Sequence, residues 1–499
     1  MAAERPAIAG AGRTTHAALL DELDALIAAV RSETRQRMEL WRAGGIRPAF
    51  LPSAENLAAY LALRHRDLRP LQRRLMVLGL SSLGRLESRV MPTLLAVRAA
   101  LAGMAGQPAE AVGGEDFFAG EQRLEARARQ LFGARRQQRQ AALMVTCPSE
   151  AADDPAFMRD LAARGVEAIR INCAHDGPEA WARMIAHLRA GEGGQAAHVF
   201  MDLAGPKLRT GGLRHHHDVK RLFPGDRLAL VAPGGLDRKV PADVACTVEC
   251  TLPEAIAAAA PGERLLIDDG KIACAIEMVG EGMLIASVTR CKEEGAKLKP
   301  EKGINLPDTD LQVPALTAKD RADLAFVAAH ADGVEFSFVQ EVADVELLQA
   351  ELARLRPDDW QELALILKIE TARAVHNLPD ILLAAAARQP VAIMIARGDL
   401  AIEIGFARLA EMQEEILWIA EAAQVPVIWA TQVLEHLVKE GLPNRGELTD
   451  AAMAARAECV MLNKGAFLFE AIAALDGLLA RMDDHVHKKT PQLRRLTSW

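Results

Sequence analysis

Eight short apolar runs, each about the length of a β-strand, alternate with helical patterns from residue 141 onward. Strands that alternate with helices predict parallel βαβ units, and eight such units predict an α/β protein with a closed (β/α)8 TIM barrel. Active sites of these barrels lie at the carboxyl ends of the strands. The polar residues at those ends are therefore the candidates for function. The eight candidate strands are 142–147, 167–172, 197–202, 333–338, 363–369, 391–395, 425–430 and 457–462.

The connection between the third and the fourth candidate strands is too long for a single helix. It contains Pro-Gly turn signals at 224–226, 233–235 and 261–263, with short apolar runs between them. This pattern is typical of a small β-domain. Because the insertion leaves the barrel at its catalytic end, we expect it to form a lid over the site.

The first 140 residues carry leucines at helical spacing, with Arg, Glu and Gln on the other faces, which predicts an all-helical N-terminal region. The rest of the chain is expected to contain the barrel, the inserted β-rich lid and a short tail. The predicted boundaries are 1–140 for the helical region, 141–211 and 306–485 for the barrel, 212–305 for the lid and 486–499 for the tail.

Composition limits the class of protein. The formal net charge of −8 gives no general attraction to nucleic acid. The N-terminus lacks the basic-then-apolar pattern of a signal peptide, and no apolar run approaches the ~18 residues of a membrane span. The seven cysteines are scattered, which favours reduced thiols. We therefore expect a cytoplasmic protein that binds neither nucleic acid nor a membrane.

Charged side chains end two of the apolar runs. Lys368 and Glu370 lie two residues apart, so both side chains point the same way from their strand. Asp399 follows the next strand after Arg397-Gly398, where the chain is expected to open a helix whose free N–H groups can hold a carboxylate. Two carboxylates and a lysine suit a divalent metal and an anionic substrate. Each could instead cap a helix or form a structural ion pair.

Short motifs recur at the strand ends and in the insertion. They are Arg-Ile-Asn-Cys-Ala-His (170–175), Asp-Leu-Ala-Gly-Pro-Lys-Leu-Arg-Thr-Gly (202–211), Leu-Ile-Asp-Asp-Gly (266–270), Lys-Gly-Ile-Asn-Leu-Pro (302–307), Ser-Phe-Val (337–339), Leu-Lys-Ile-Glu (367–370), Ala-Arg-Gly-Asp-Leu (396–400), Ala-Thr-Gln (430–432) and Asn-Arg-Gly-Glu (444–447). These motifs resemble those of the pyruvate kinase family, and they occur in family order over roughly residues 141–480. The resemblance implies a barrel with an inserted lid that moves phosphate from phosphoenolpyruvate to ADP, giving pyruvate and ATP, with Mg²⁺ or Mn²⁺ as cofactor.

The resemblance also implies roles for individual residues. The catalytic residues would be Lys368, Thr431 and Arg170, with Lys368 neutralising the phosphoryl group in transit. Glu370 and Asp399 would hold the divalent metal. The phosphoenolpyruvate site is expected to comprise Arg170, Arg209, Ala396, Arg397, Gly398, Asp399 and Thr431, and the nucleotide site His175, Arg209 and Lys302.

The family commonly places a monovalent cation beside the phosphate. Asn172 and Asp202 of that region are present here, but Ala174 replaces a serine ligand and Lys207 replaces a glutamate. The ammonium of Lys207 could supply the charge that K⁺ otherwise brings. We therefore expect no requirement for potassium. The alternative is that Lys207 points into solvent.

Other departures leave alternatives open. The chain stops soon after its last helix, without the family's usual C-terminal effector domain, so we expect no response to sugar phosphates. The eighth strand ends in Asn463-Lys464-Gly465 in place of the family's Ser-Gly-Glu-Thr. A metal-dependent lyase acting on a pyruvate enolate and a non-catalytic regulatory homologue are the rival interpretations. A homo-oligomer is the expected assembly.

Overall fold

The computed structural model describes residues 15–134, 139–190, 197–216, 220–311 and 313–491. Within these ranges the chain forms two compact units. One comprises 15–127 together with 418–425, and the other comprises the remaining described residues from 128 onward.

The first unit is helical. Its long first helix buries Leu19, Leu23, Ile27 and Val30, whose helical spacing places them on one face. That face packs against the second and fourth helices. The helices of the N-terminal region are α1 (His16–Ala43), α2 (Leu51–Arg64), α3 (Arg69–Val77), α4 (Val90–Met104) and α5 (Gly114–Phe132), with 3-10 turns at Pro48–Phe50 and Glu87–Arg89.

The second unit contains the predicted barrel. Eight parallel strands close in the order β1-β15-β14-β13-β12-β11-β3-β2, which confirms the fold class. The strands in chain order are β1 (Ala142–Thr146), β2 (Ala168–Asn172), β3 (His198–Asp202), β4 (Thr210–His215), β5 (Arg227–Val231), β6 (Val244–Cys250), β7 (Arg264–Ile267), β8 (Ile272–Gly280), β9 (Met283–Arg290), β10 (Ile304–Asn305), β11 (Gly333–Phe336), β12 (Ala364–Ile369), β13 (Val391–Ala396), β14 (Val427–Ala430), β15 (Cys459–Leu462), β16 (Val486–His487) and β17 (Thr490–Pro491).

Helices follow the barrel strands, as expected for βαβ units, and one further helix, between β6 and β7, belongs to the insertion. A capping box at Thr317 and Asp320 starts one of them, and the side chain of Asp154 caps another. The helices are α6 (Pro155–Ala163), α7 (Pro178–Arg189), α8 (Pro253–Ala258), α9 (Ala318–His330), α10 (Val342–Leu355), α11 (Ala372–His376), α12 (Leu378–Ala386), α13 (Arg397–Ile404), α14 (Phe406–Ala422), α15 (Glu435–Glu440), α16 (Arg445–Ala454) and α17 (Leu468–Asp483), with 3-10 turns at Ser149–Ala152 and Trp360–Glu362.

The barrel interior is apolar at its centre and polar at its carboxyl end. Phe200, Ile366, Met394 and Ile428 belong to one buried cluster inside the barrel. The ring of Phe132, at the end of α5, lies 6.0 Å from that of Phe200. The apolar residues of β3 and β12 thus precede the charged residues Asp202 and Lys368 near the ends of the same strands.

Strands β4 to β10 form a separate seven-stranded sheet, inserted between β3 and β11. Its residues Leu266 and Ala273 pack against Ile402 of α13, the helix that follows β13. The inserted sheet therefore contacts a helix that begins at the carboxyl end of the barrel. Among the described residues, none of the helices is both long and apolar enough to cross a membrane.

Candidate active site

A buried cluster of charges lies at the carboxyl end of the barrel, with the carboxylate of Asp202 at its centre. The Nζ atom of Lys368 lies 3.1 Å from each Asp202 oxygen, and Nε of Arg170 lies 3.0 Å from Oδ2. The Ser337 hydroxyl donates to Asp202 Oδ1 at 2.9 Å and accepts from Lys368 at 2.7 Å. The ends of strands β2, β3 and β12 therefore bring together three residues predicted for the site.

These charges keep one another ionised. Burial is the largest influence on Lys368 and favours the neutral amine, but the carboxylates of Asp202 and Glu370 outweigh it and raise the pKa of Lys368. Burial also favours the neutral form of Asp202, yet Lys368 and Arg170 hold the pKa of Asp202 below its usual value. Lys368 is consequently a fixed cation near neutral pH.

Glu335 is a member of the cluster that the sequence analysis did not identify. It is fully buried, and its Oε2 atom lies 3.1 Å from Nε of Arg170. Burial, and then the charge of Asp202, raise the pKa of Glu335 to about 7. Within the described part of the chain, Glu335 Oε1 has no hydrogen-bond partner. The sequence did contain a signal for this residue, a single glutamate within an apolar strand. A carboxylate buried at such a position needs a charged or hydrogen-bonding partner.

Glu370 and Asp399, the predicted metal ligands, each lie beside a lysine. Glu370 accepts the Phe338 N–H at 2.6 Å and lies 3.3 Å from Lys368 Nζ. Asp399 Oδ1 lies 2.7 Å from Nζ of Lys207, so the Lys207 side chain is directed into the site. Burial raises the pKa of Glu370, which Lys368 opposes and the charge of Asp399 reinforces.

The donor set of these two carboxylates fits a hard divalent cation. Both offer oxygen ligands, and a cation between them would relieve their mutual repulsion. The described residues contain no group of three His, Cys, Asp or Glu side chains arranged to hold a metal. A metal at Glu370 and Asp399 would therefore keep several positions for other ligands.

The turn after β13 opens α13 at Arg397, as the sequence predicted. The Gly398 N–H donates to the Thr431 hydroxyl at 2.8 Å, and Thr431 has a φ of +61°, a region that β-branched residues rarely enter. The Arg397 guanidinium is buried, donates to the Ala430 carbonyl at 3.0 Å and pairs with Asp450. Arg397 can therefore serve a ligand only through its backbone.

Basic side chains meet in a second region around His175. Burial lowers the pKa of His175, the charges of Lys464, Arg209 and Arg170 lower it further, and the charge of Asp176 opposes them. Lys464 belongs to the altered end of the eighth strand, and its closeness to His175 was not predicted. Lys464 and Arg209 are thus positive charges that act on His175 outside the buried cluster of Asp202, and such charges suit a polyphosphate.

Two further predicted residues contact the inserted domain. Nζ of Lys302 lies 3.1 Å from Oδ1 of Asp268, and Arg209 donates to the Glu301 carbonyl at 3.1 Å. Lys302 is thus paired on the inserted domain and does not belong to the buried cluster around Asp202.

The side-chain oxygens predicted to lie near a monovalent cation already accept hydrogen bonds from the protein. The side-chain oxygen of Asn172 accepts the Ala174 N–H at 2.9 Å. Both oxygens of Asp202 accept from Lys368, with Ser337 and Arg170 as further donors. These oxygens therefore face cations and donors of the chain itself.

Comparison with known proteins agrees with this geometry. The family model described as pyruvate kinase, barrel domain, matches residues 138–471. A pyruvate kinase from Methylorubrum extorquens is 33% identical over 352 residues, covering 68% of this chain and 68% of the relative. One from Agrobacterium vitis is 33% identical over 358 residues, covering 69% and 68%. One from Mycobacterium tuberculosis is 31% identical over 315 residues, covering 62% and 61%. The chain therefore belongs to the pyruvate kinase family.

Proposed function

We propose that this protein transfers a phosphoryl group from phosphoenolpyruvate to ADP, giving pyruvate and ATP. The observation that carries the proposal is the position of Lys368. Its ammonium is buried between Asp202 and Glu370 at the ends of barrel strands, where a fixed cation can meet an anionic substrate. A catalyst of phosphoryl transfer needs such a charge, because negative charge spreads over the equatorial oxygens in the transition state.

The other residues of the site fit the parts of this substrate. Lys368 and Arg170 would bind the phosphoryl oxygens, Arg170 through its forked donors. The backbone at the start of α13 would hold the substrate carboxylate near Asp399. His175, Arg209 and Lys464 would face the nucleotide phosphates, and Lys302 could join them if it exchanged Asp268 for a phosphate.

Glu370 and Asp399 would hold Mg²⁺ or Mn²⁺. When bound, such an ion supplies positive charge that polarises substrate oxygens. The ammonium of Lys207 lies 2.7 Å from Asp399 Oδ1, so the metal would bind the other oxygen of Asp399 or displace the ammonium.

Thr431 would help to deliver a proton to the methylene carbon of the enolate. A threonine hydroxyl has no suitable pKa to act alone, so the proton would come through water. The hydroxyl accepts from the Gly398 N–H, which leaves its own hydrogen directed elsewhere. Thr431 would therefore donate to, and orient, the water that carries the proton.

Potassium would not be required. The oxygens of Asn172 and Asp202 already accept hydrogen bonds from the chain, and Lys207 adds a cation close by at Asp399. A protein ammonium would then carry the charge that a monovalent ion supplies in relatives that depend on one.

The protein would work in a reducing compartment such as the cytoplasm, since its seven cysteines are free thiols. We also propose a homo-oligomer, which sedimentation equilibrium of the full chain would test.

The decisive experiment is a coupled assay of pyruvate formation from phosphoenolpyruvate, ADP and Mg²⁺, with ATP measured separately. We expect pyruvate and ATP in equal amounts, and loss of both when the metal is chelated. The test variant is Lys368→Met, which should be inactive. Its matched control is Lys439→Met, a surface substitution that should be fully active. Binding of phosphoenolpyruvate without turnover would instead identify a non-catalytic homologue.

A further inference from the structure

The helical unit contains a cavity that the proposed reaction does not use. It measures about 430 Å³ and lies among α1, α2, α4 and the start of α5. All of its lining residues belong to 15–127, and they precede the segment 138–471 that matches the family model. The volume lies within the range of small-molecule sites.

The walls of this cavity, which we call the arginine pocket, carry more positive than negative charge. Its lining includes four guanidinium groups and two carboxylates. The cations are Arg31, Arg35, Arg89 and Arg123, and the anions are Glu55 and Asp116. A small anion would be attracted here, whereas the two carboxylates would repel parts of a long polyanion.

Two of the arginines are held in place. The guanidinium of Arg89 lies 4.8 Å from the centre of the Phe117 ring and pairs with Glu121. Nε of Arg123 donates to Oε1 of Gln424 at 2.8 Å, which leaves its terminal nitrogens for another partner. An arginine whose Nε atom is held by the protein, as in Arg123, loses little entropy when its terminal nitrogens bind an anion.

The other two arginines are exposed and close together. Arg31 and Arg35 are four residues apart on α1, so they lie on the same face of that helix. Neither takes part in an ion pair with any residue that the structure describes. Like charges at this spacing repel each other, and an anion between them would relieve the repulsion.

The frame around the pocket is rigid. Asn56 donates to the carbonyls of Glu87 and Ala422 at 2.7 and 2.8 Å and accepts the Val90 N–H at 2.9 Å. Gly120 allows α5 to approach closely, since a Cβ there would lie 1.9 Å from the Ser88 carbonyl oxygen. The pocket is thus preformed, as small-molecule sites usually are.

Two helix starts and an apolar surface complete the pocket. Pro52 and Met91 lie in the first turns of α2 and α4, so the N-terminal turns of both helices form part of the wall. Ala59, Pro92 and Leu95 add apolar lining. Because cationic and apolar groups share one cavity, the matching ligand has an anionic group on an apolar body.

We propose that the arginine pocket binds a small organic anion, one that carries a phosphate or a carboxylate on an apolar body. This site is independent of the phosphotransferase site, and its test does not depend on turnover.

The experiment uses the full chain and the fluorescence of 1-anilinonaphthalene-8-sulfonate, an apolar anion, as the probe. We expect one saturable site that excess phosphoenolpyruvate does not empty. Displacement by phenyl phosphate or by benzoate would then distinguish a phosphate ligand from a carboxylate ligand, and inorganic phosphate should displace the probe only weakly. Several unsaturable sites, or displacement by neither aromatic anion, would overturn the proposal.

Variants locate the site. Arg31→Gln with Arg35→Gln should weaken probe binding about tenfold, the effect of losing a charge-assisted hydrogen bond. The matched control, Arg42→Gln with Arg73→Gln, removes the same charge from exposed positions outside the pocket and should change binding less than about twofold. Equal affinity in the two double variants would overturn the proposal.

A second pair of variants tests the apolar part. Leu95→Glu puts a carboxylate into the pocket and should abolish probe binding, whereas Leu40→Glu, at a side chain that is 76% exposed, should leave it unchanged. Circular dichroism melts would check that each variant is folded. A folded Leu95→Glu variant with unchanged binding would place the probe elsewhere and refute the proposal.

Discussion

Glu335 and Asp202 face each other in register on neighbouring parallel strands, and both carboxylates accept a hydrogen bond from Nε of Arg170. Asp202 also accepts from Lys368, whereas Glu335 Oε1 has no hydrogen-bond partner among the described residues. The two acids therefore differ in charge near neutral pH. Asp202 stays ionised, and Glu335 shifts toward its neutral form.

This difference predicts a pH-dependent stability. The pKa of folded Glu335 is about 7, above its ordinary value of 4.5, so between these values the folded chain binds more protons than the unfolded chain. The free energy of unfolding should consequently fall as pH rises through that window, by up to about 1.4 kcal/mol per pH unit from this group. In Glu335→Gln the slope should be flatter.

Urea unfolding followed by circular dichroism across the same window would measure the slope. Glu346→Gln, at an exposed position, is the control and should keep the wild-type slope. If Glu335→Gln and Glu346→Gln gave the same pH dependence, Glu335 would not be the group responsible.

Lys368→Met should lower kcat by at least about a thousandfold with little change in KM, because its charge acts mainly in the transition state. It should also destabilise the protein by roughly 3–5 kcal/mol, since Asp202 and Glu370 would lose a buried partner. Steady-state kinetics and thermal melts would separate the two effects. Near-normal turnover in a folded Lys368→Met enzyme would contradict the assigned role.

Lys207→Glu should weaken phosphoenolpyruvate binding, because it replaces the ammonium 2.7 Å from Asp399 with a second negative charge. Turnover of the unaltered protein should be similar in potassium, sodium and a bulky organic cation at matched ionic strength. Potassium should rescue Lys207→Glu poorly while Ala174 is present. Strong activation of the unaltered protein by potassium alone would disprove the proposal that the Lys207 ammonium takes the place of a bound potassium ion.

Thr431→Val should slow exchange of the methyl protons of pyruvate with water, measured by NMR in the presence of ATP and Mg²⁺. The loss should be about a hundredfold, the lower part of the range for positioned proton transfer. Thr431→Ser keeps the hydroxyl that the Gly398 N–H contacts and should exchange protons at close to the normal rate. Equal exchange in the valine and serine variants would remove Thr431 from the proton path.

Local patterns along the chain were sufficient to predict the barrel and to propose charged residues for its carboxyl end. Alternating apolar runs and helical patterns predict βαβ units, and eight such units indicate a closed barrel. Lys368, Glu370 and Asp399 were recognisable because each lies at or shortly after the end of such an apolar run.

Only the tertiary structure decided which charges meet. Glu335 and Asp202 are far apart in sequence, and their register follows from strand pairing around the closed barrel. The contact between Lys207 and Asp399, and the closeness of Lys464 to His175, likewise depend on how separate loops converge at one end of the barrel. The arginine pocket has the same origin, because leucine spacing predicts helices but does not determine which of their polar faces lie together.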